Sequence, residues 1–124
     1  MKEGEIVLAV LPQVDREQKP RPVLILRKMP NGDFLVCAIS TQLNKYISEF
    51  DEIIRADDRE FAATGLKKES LVRLSFLHVV PPNELRRSIG YVSDRIYQKL
   101  LSNLSRYIGL SLENNETVIT PNDS

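Results

Sequence analysis

The chain has no tryptophan, one cysteine, one histidine and no net charge, with 17 basic side chains against 17 acidic ones. Each shortage excludes something. A single Cys37 cannot close an internal disulfide, and within Leu35-Val36-Cys37-Ala38 it reads as a buried strand residue. One histidine rules out a pair of histidines serving as acid and base within one chain. Together with one cysteine it leaves no zinc-type ligand set. The five glycines are scattered singly, so no glycine-rich loop is present to cradle a phosphate. Zero net charge removes any global positive field, and a nucleic-acid footprint must therefore be local. No apolar run is long enough to cross a bilayer. The start MKEGEIVLAVLP mixes acids and bases and loses its apolar run at Pro12, unlike a secretory signal. These readings describe a cytoplasmic chain with no membrane partner, no cofactor and no metal.

What is there is enough for one domain of 124 residues. Ile6 to Leu11 form a first strand, followed by a polar loop over residues 12–21 and a second strand over 22–28. In that second strand Val23-Leu24-Ile25-Leu26 run without a polar break, as a strand covered on both faces requires. Met29-Pro30-Asn31-Gly32-Asp33 is turn chemistry that folds strand two back onto strand three, residues 34–39. Residues 49–55 supply a fourth strand with Phe50, Ile53 and Ile54 as its apolar positions. Thr64-Gly65-Leu66 turns the chain into a long strand over 71–80, where alternation puts Val72, Leu74, Phe76, His78 and Val80 on one face. His78 then reads as a packed, hydrogen-bonded core histidine. Ser93 is a helix N-cap, with Asp94 in the first turn and Gly109 as the stop. Ile96, Leu100, Leu104 and Ile108 make its buried stripe. The expected domain covers residues 1–112, with a flexible polar tail at 113–124. About five short strands and a terminal helix predict a small, strongly bent antiparallel sheet or barrel.

Chemistry concentrates at one place. Glu17-Gln18-Lys19-Pro20-Arg21-Pro22 runs straight into the buried strand, and the two prolines bias Lys19 and Arg21 toward extended backbone. An arginine held this way gives up little further freedom on gripping a phosphate. Residues 16–30 carry Arg16, Lys19, Arg21, Arg27 and Lys28 against Glu17 alone, a local positive patch suited to phosphate backbone or to an acidic protein partner. The Asn31-Gly32 turn joins the far ends of strands two and three. Arg21 and the hydroxyls of Ser40 and Thr41 therefore fall at the same edge of the sheet. The acidic run Glu49, Asp51, Glu52, Asp57, Asp58 and Glu60 alternates with Arg55 and Arg59 and reads as a solvated face. Tyr46 and Phe50 are candidate base-stacking platforms or packing residues.

The order of these motifs resembles the PemK/MazF-like toxins of bacterial toxin–antitoxin pairs. The resemblance rests on Gly4-Glu5-Ile6-Val7, Glu17 through Ile25, Ala38-Ile39-Ser40-Thr41-Gln42, Thr64 through Leu74, Ile89-Gly90-Tyr91-Val92-Ser93 and Tyr107-Ile108-Gly109-Leu110. It implies a mainly β, SH3-like, partly closed antiparallel barrel with a C-terminal α-helix, assembled as a homodimer. It further implies a metal-independent endoribonuclease that cuts single-stranded RNA and is neutralised by a cognate antitoxin. In such enzymes the 2′-hydroxyl attacks the adjacent phosphate, leaving a 2′,3′-cyclic phosphate and a 5′-hydroxyl. The family's arginine and threonine map to Arg21 and Ser40 as the implied catalytic pair, Ser40 standing where threonine is usual. Gln18, Lys19, Arg27, Thr41 and Gln42 are the expected RNA-binding neighbours. Two other readings share the barrel: a toxin acting by gripping a protein, or an inactive relative that only binds antitoxin. The first would rely on C-terminal residues, and residues 113–124 offer no aromatic anchor.

Overall fold

The computed structural model describes residues 1–11 and 18–118. Six strands, β1 (Glu5–Ala9), β2 (Arg21–Lys28), β3 (Phe34–Ser40), β4 (Glu52–Ile54), β5 (Ser70–Val80) and β6 (Leu85–Tyr91), precede the helix α1 (Asp94–Val118). They form one sheet in the order β4-β5-β3-β2-β1-β6, with every neighbouring pair antiparallel. The sheet does not close, so the architecture is a partly closed barrel capped by one helix, as expected.

The unbroken apolar run in β2 explains the two cores. Leu24 and Leu26 belong to a cluster with Ile6, Cys37, Ile39, Val72 and Leu74, which Ile96, Tyr97 and Leu100 of α1 cover. Val23 and Ile25 point the other way, into a second cluster with Val7, Ala9, Phe34, Val36, Val80 and Leu85. All four are essentially inaccessible to water. Burying each contributes about 2 kcal/mol, which makes β2 the spine of the molecule. Cys37 lies in the first core, where burial and then the nearby Asp51 charge push its thiol far up. A thiol held in that form is inert.

The hairpin forms at Asn31-Gly32, where Gly32 takes φ +94° and Met29 N–H donates to the Asp33 carbonyl at 2.7 Å. Ser93 caps α1 as read from sequence, its Oγ accepting from Ile96 N–H at 3.2 Å. Three expectations need correction. Gly109 does not stop the helix, whose backbone continues to Val118, and Ile108 is exposed instead of completing the buried stripe of Ile96, Leu100 and Leu104; residues 119–124 lie outside the described residues. The sixth strand is additional: Leu85–Tyr91 is mostly exposed along its length and carries Arg86, Arg87 and Ser88 at its centre, so it has no apolar alternation to read.

The third correction concerns β5. Its pairing with β3 passes from Cys37↔Leu77 to Ala38↔Arg73, four steps on β5 for one on β3. Three extra residues are an odd number, so the bulge exchanges the two faces. Val72 and Leu74 enter the first core and Val80 the second. His78 is consequently half-buried, paired across from Val36 and packed against the Phe76 ring at 5.0 Å between centroids. It is not a core histidine.

Candidate active site

The site lies where β2 begins, β3 ends and β5 begins. The β2–β3 ladder pairs Val23 with Ala38 and Leu24 with Cys37. Continued outward, the same register sets Pro22 across from Ile39 and Arg21 across from Ser40, on strands spaced about 4.8 Å apart. On the other side of β3, Ser40 pairs with Leu71 and Ala38 with Arg73. Cross-strand partners share a face, and residues two apart on a strand do too. Arg21, Val23, Ala38, Ser40 and Arg73 therefore belong to one face of the sheet.

Two adjoining depressions occupy this end. The smaller, about 220 Å³, is lined by Leu11, Arg21, Pro22, Val23, Ala38, Ile39 and Phe76. The larger, about 460 Å³, takes in Ser40 and Thr41 with Leu8, Leu66, Lys67, Lys68 and Arg87. Pro22 and Ile39 border both, so Arg21 and Ser40 line adjoining depressions that share an apolar wall. The Oγ of Ser40 accepts from Gln42 N–H at 3.0 Å, which fixes the side chain as the brace of the turn leaving β3. Having accepted there, the hydroxyl keeps its own hydrogen to donate.

The predicted site residues divide clearly. Arg21 and Ser40 lie at the same end of the sheet, in adjoining depressions, with Lys19, Thr41 and Gln42 exposed at that end. Gln18, exposed as well, holds φ +56°, a left-handed turn just ahead of the Lys19-Pro20-Arg21 entry. Arg27 does not join the cluster. It lies six residues further along β2, about 20 Å away at the usual strand rise, and pairs with Glu3 at 3.5 Å. Arg16 and Glu17 of the expected basic patch lie outside the described residues.

Sequence reading missed four cations here. Lys67, Lys68 and Arg87 rim the larger depression. They come from a turn and from β6, elements remote in sequence, so no local charge count could find them. The fourth is Arg73, whose Nε is buried without a hydrogen-bond partner among the described residues. A buried donor left unmatched costs about 1–3 kcal/mol, which an incoming acceptor would relieve. Only the β5 bulge puts it on this face, and a bulge is not legible from alternation.

Of the two aromatic candidates, Phe50 is a packing residue and Tyr46 is exposed. Phe50 contacts Tyr107 at 5.2 Å and leans on the first core. Tyr46 lines a groove beside α1 and neither of the depressions that take in Arg21 and Ser40. Asp51 departs from the expected solvated acidic face altogether, being fully buried while Arg55, Asp57, Arg59 and Glu60 are exposed.

The profile of the PemK-like, MazF-like toxins of type II toxin–antitoxin systems matches residues 2–108, and the chain belongs to this family. No curated protein sequence matches it. Among solved structures it is similar to the Mycobacterium tuberculosis toxin MazF-mt6, with 24% identity and a TM-score of 0.63 over 85% of this chain and 96% of that one. It is similar also to an endoribonuclease solved with its cognate antitoxin from a mycobacterial species, at 16% identity and a TM-score of 0.65, covering 89% and 96% of the two chains. A third, a toxin of M. tuberculosis, shares 21% identity and a TM-score of 0.59 over 82% and 97%. At these identities the structural likeness speaks for the fold.

Proposed function

We propose that this protein is an endoribonuclease toxin that cuts single-stranded RNA without a metal and is neutralised by a cognate antitoxin. The observation that carries the reading is the gathering of Arg21, Arg73, Lys67, Lys68 and Arg87 with Ser40 at one end of the sheet in a chain of zero net charge. A guanidinium does not readily release its proton. Arg21 therefore acts as a clamp on the charge that develops on the phosphorus oxygens in the transition state. Ser40 donates its hydroxyl hydrogen to a non-bridging oxygen, and Arg73 offers a second planar donor set from the neighbouring strand. The 2′-oxygen forms a bond to phosphorus as the bond to the 5′-oxygen breaks. The proton of the 2′-hydroxyl leaves to solvent and the departing 5′-oxygen gains one. Nucleophile and phosphate already belong to one substrate molecule, so holding them in line supplies much of the rate.

Gln18, Lys19, Thr41 and Gln42 border the same end and would hold the backbone and bases flanking the cut. The same cations suit an acidic antitoxin segment, so RNA and antitoxin compete for them. The active form is a homodimer in the cytoplasm. Incubation of the pure protein with defined single-stranded RNA and a chelator, followed by end mapping, tests the reading. New 2′,3′-cyclic phosphate and 5′-hydroxyl ends are expected. Intact RNA alongside tight binding to a protein target would replace the nuclease with the protein-gripping alternative.

A further inference from the structure

The strand that carries Arg73 reaches the site only because it is bulged, and a buried carboxylate sits on the bulge. Asp51 is fully buried, one residue before β4. Its Oδ1 accepts from Leu74 N–H at 2.9 Å and its Oδ2 from Ile47 N–H at 3.0 Å. Asp51 N–H in turn donates to the Ile47 carbonyl at 2.9 Å. Leu74 is the first residue of β5 that the bulge removes from the β3 ladder. Its N–H is thus a buried donor with no strand partner, and Asp51 supplies the acceptor it lacks.

The register shows what this bond decides. If the pairing Cys37↔Leu77 continued regularly, Phe76 would stand across from Ala38, and Arg73 would fall across from Thr41 with its side chain on the opposite face. The three-residue bulge brings Arg73 to Ala38 and so to the face of Arg21. The turn bearing Asp51 is itself braced from α1. Asn103 donates to the Phe50 carbonyl at 3.0 Å, and Arg106 to the Glu49 carbonyl at 3.3 Å. We propose that Asp51 is a positioning residue, its buried carboxylate holding β5 in the bulged register that presents Arg73 to the phosphate. The proposal rests on the nuclease reading for its functional meaning, and on the Leu74 bond for its structural one.

A double-mutant cycle tests it, using the wild type, Arg73→Ala, Asp51→Asn and the combined variant on single-stranded RNA well below their melting temperatures. Asn keeps the shape of the side chain but turns one acceptor into a donor facing an N–H. Asp51→Asn is expected to lower kcat about tenfold or more with KM nearly constant, and to add no further loss in the Arg73→Ala background. Leu74 amide exchange is expected to accelerate. The same fold loss in both backgrounds would overturn the proposal, as would an unchanged kcat. Should Asp51→Asn not fold, Asp51→Glu, which moves the oxygens outward by one methylene, goes through the same cycle under the same criteria. If the wild type cuts no RNA, the nuclease reading falls by itself. The proposal is then decided by the Nε–H resonance of Arg73, which must shift in the Asp51 variant; an unmoved resonance ends it.

Discussion

Two depressions of similar size carry opposite charge. The one beside Ser40, about 460 Å³, is rimmed by Lys67, Lys68 and Arg87. The other, about 540 Å³ and formed by the start of β1, the end of β6 and the start of α1, is bordered by Glu3, Glu5, Glu60 and Asp94 against Lys2. Formal neutrality therefore conceals a sorting of charge, and of these two depressions the basic one is the one suited to phosphate. The acidic depression repels phosphate, and Glu3 within it is occupied with the fold. Glu3 takes the Arg27 side chain at 3.5 Å and the Lys28 N–H at 3.2 Å, which also keeps Arg27 out of the basic cluster.

The sharpest way to break this comparison is to remove the cation that opens β2. Arg21→Ala is expected to lower kcat about a thousandfold, the upper range for losing one charge-stabilising donor group. Thermal stability should barely change, because Arg21 is exposed. Cleavage assays and melting curves on the same preparation separate the two effects. Neutralising the acidic depression with Glu5→Gln and Glu60→Gln is the matched control and should leave the rate alone. A variant lacking Arg21 that cuts at the wild-type rate would remove the basic end from the chemistry.

Ser40→Ala comes next, with an expected loss of about a hundredfold in kcat. It also takes the acceptor from Gln42 N–H, at a stability cost of about 1 kcal/mol. Ser40→Thr keeps the hydroxyl and narrows its rotamers, so activity should equal or exceed the wild type. An inactive Thr variant beside an active Ala variant would transfer the hydroxyl role to Thr41.

Smaller effects are expected at the rim. Lys67→Gln, Lys68→Gln and Arg87→Gln should each weaken RNA binding a few-fold. Each should also flatten the dependence of log affinity on log salt by about 0.7, the value for one phosphate contact on a single strand. Titrations at several salt concentrations measure the slope directly. A slope unchanged by all three would place the RNA elsewhere on the sheet end.

These residues also mark how far the sequence could be read. The four apolar residues of β2, the Asn31-Gly32 turn and the Ser93 cap are local signals, and each recurs in the fold as read. The placement of Arg21 and Ser40 at one sheet end was legible as well, because a hairpin fixes which strand ends lie together. Arg73 was not, since it depends on a bulge produced by a bond from Leu74 to a residue 23 positions away in sequence. Asp51 was misread for the same reason: it sits in an acidic run, and only the tertiary fold separates the one buried carboxylate from its solvated neighbours. β6 escaped because an exposed strand carrying two arginines obeys no hydrophobic period.

The acidic side yields the smallest prediction, in stability rather than rate. Tyr97 lines that depression, and its hydroxyl donates to the Leu26 carbonyl at 2.7 Å, tying α1 to β2. Burial first, and the Glu3 charge next, hold its phenol above the ordinary value of 10.0. A raised value means that the folded protein retains the proton more firmly than the unfolded chain does. The stabilisation is then complete below about pH 10 and is lost as the pH climbs through the folded value. Tyr97→Phe removes the hydroxyl, at an expected cost of about 1 kcal/mol at neutral pH. Wild type and variant should converge in stability above pH 10, while RNA cleavage at neutral pH stays the same in both. Denaturant midpoints between pH 7 and 11 measure the convergence. A constant gap across that range would mean that the hydroxyl matters only through packing, and an altered cleavage rate would mean that the two depressions are coupled through β2.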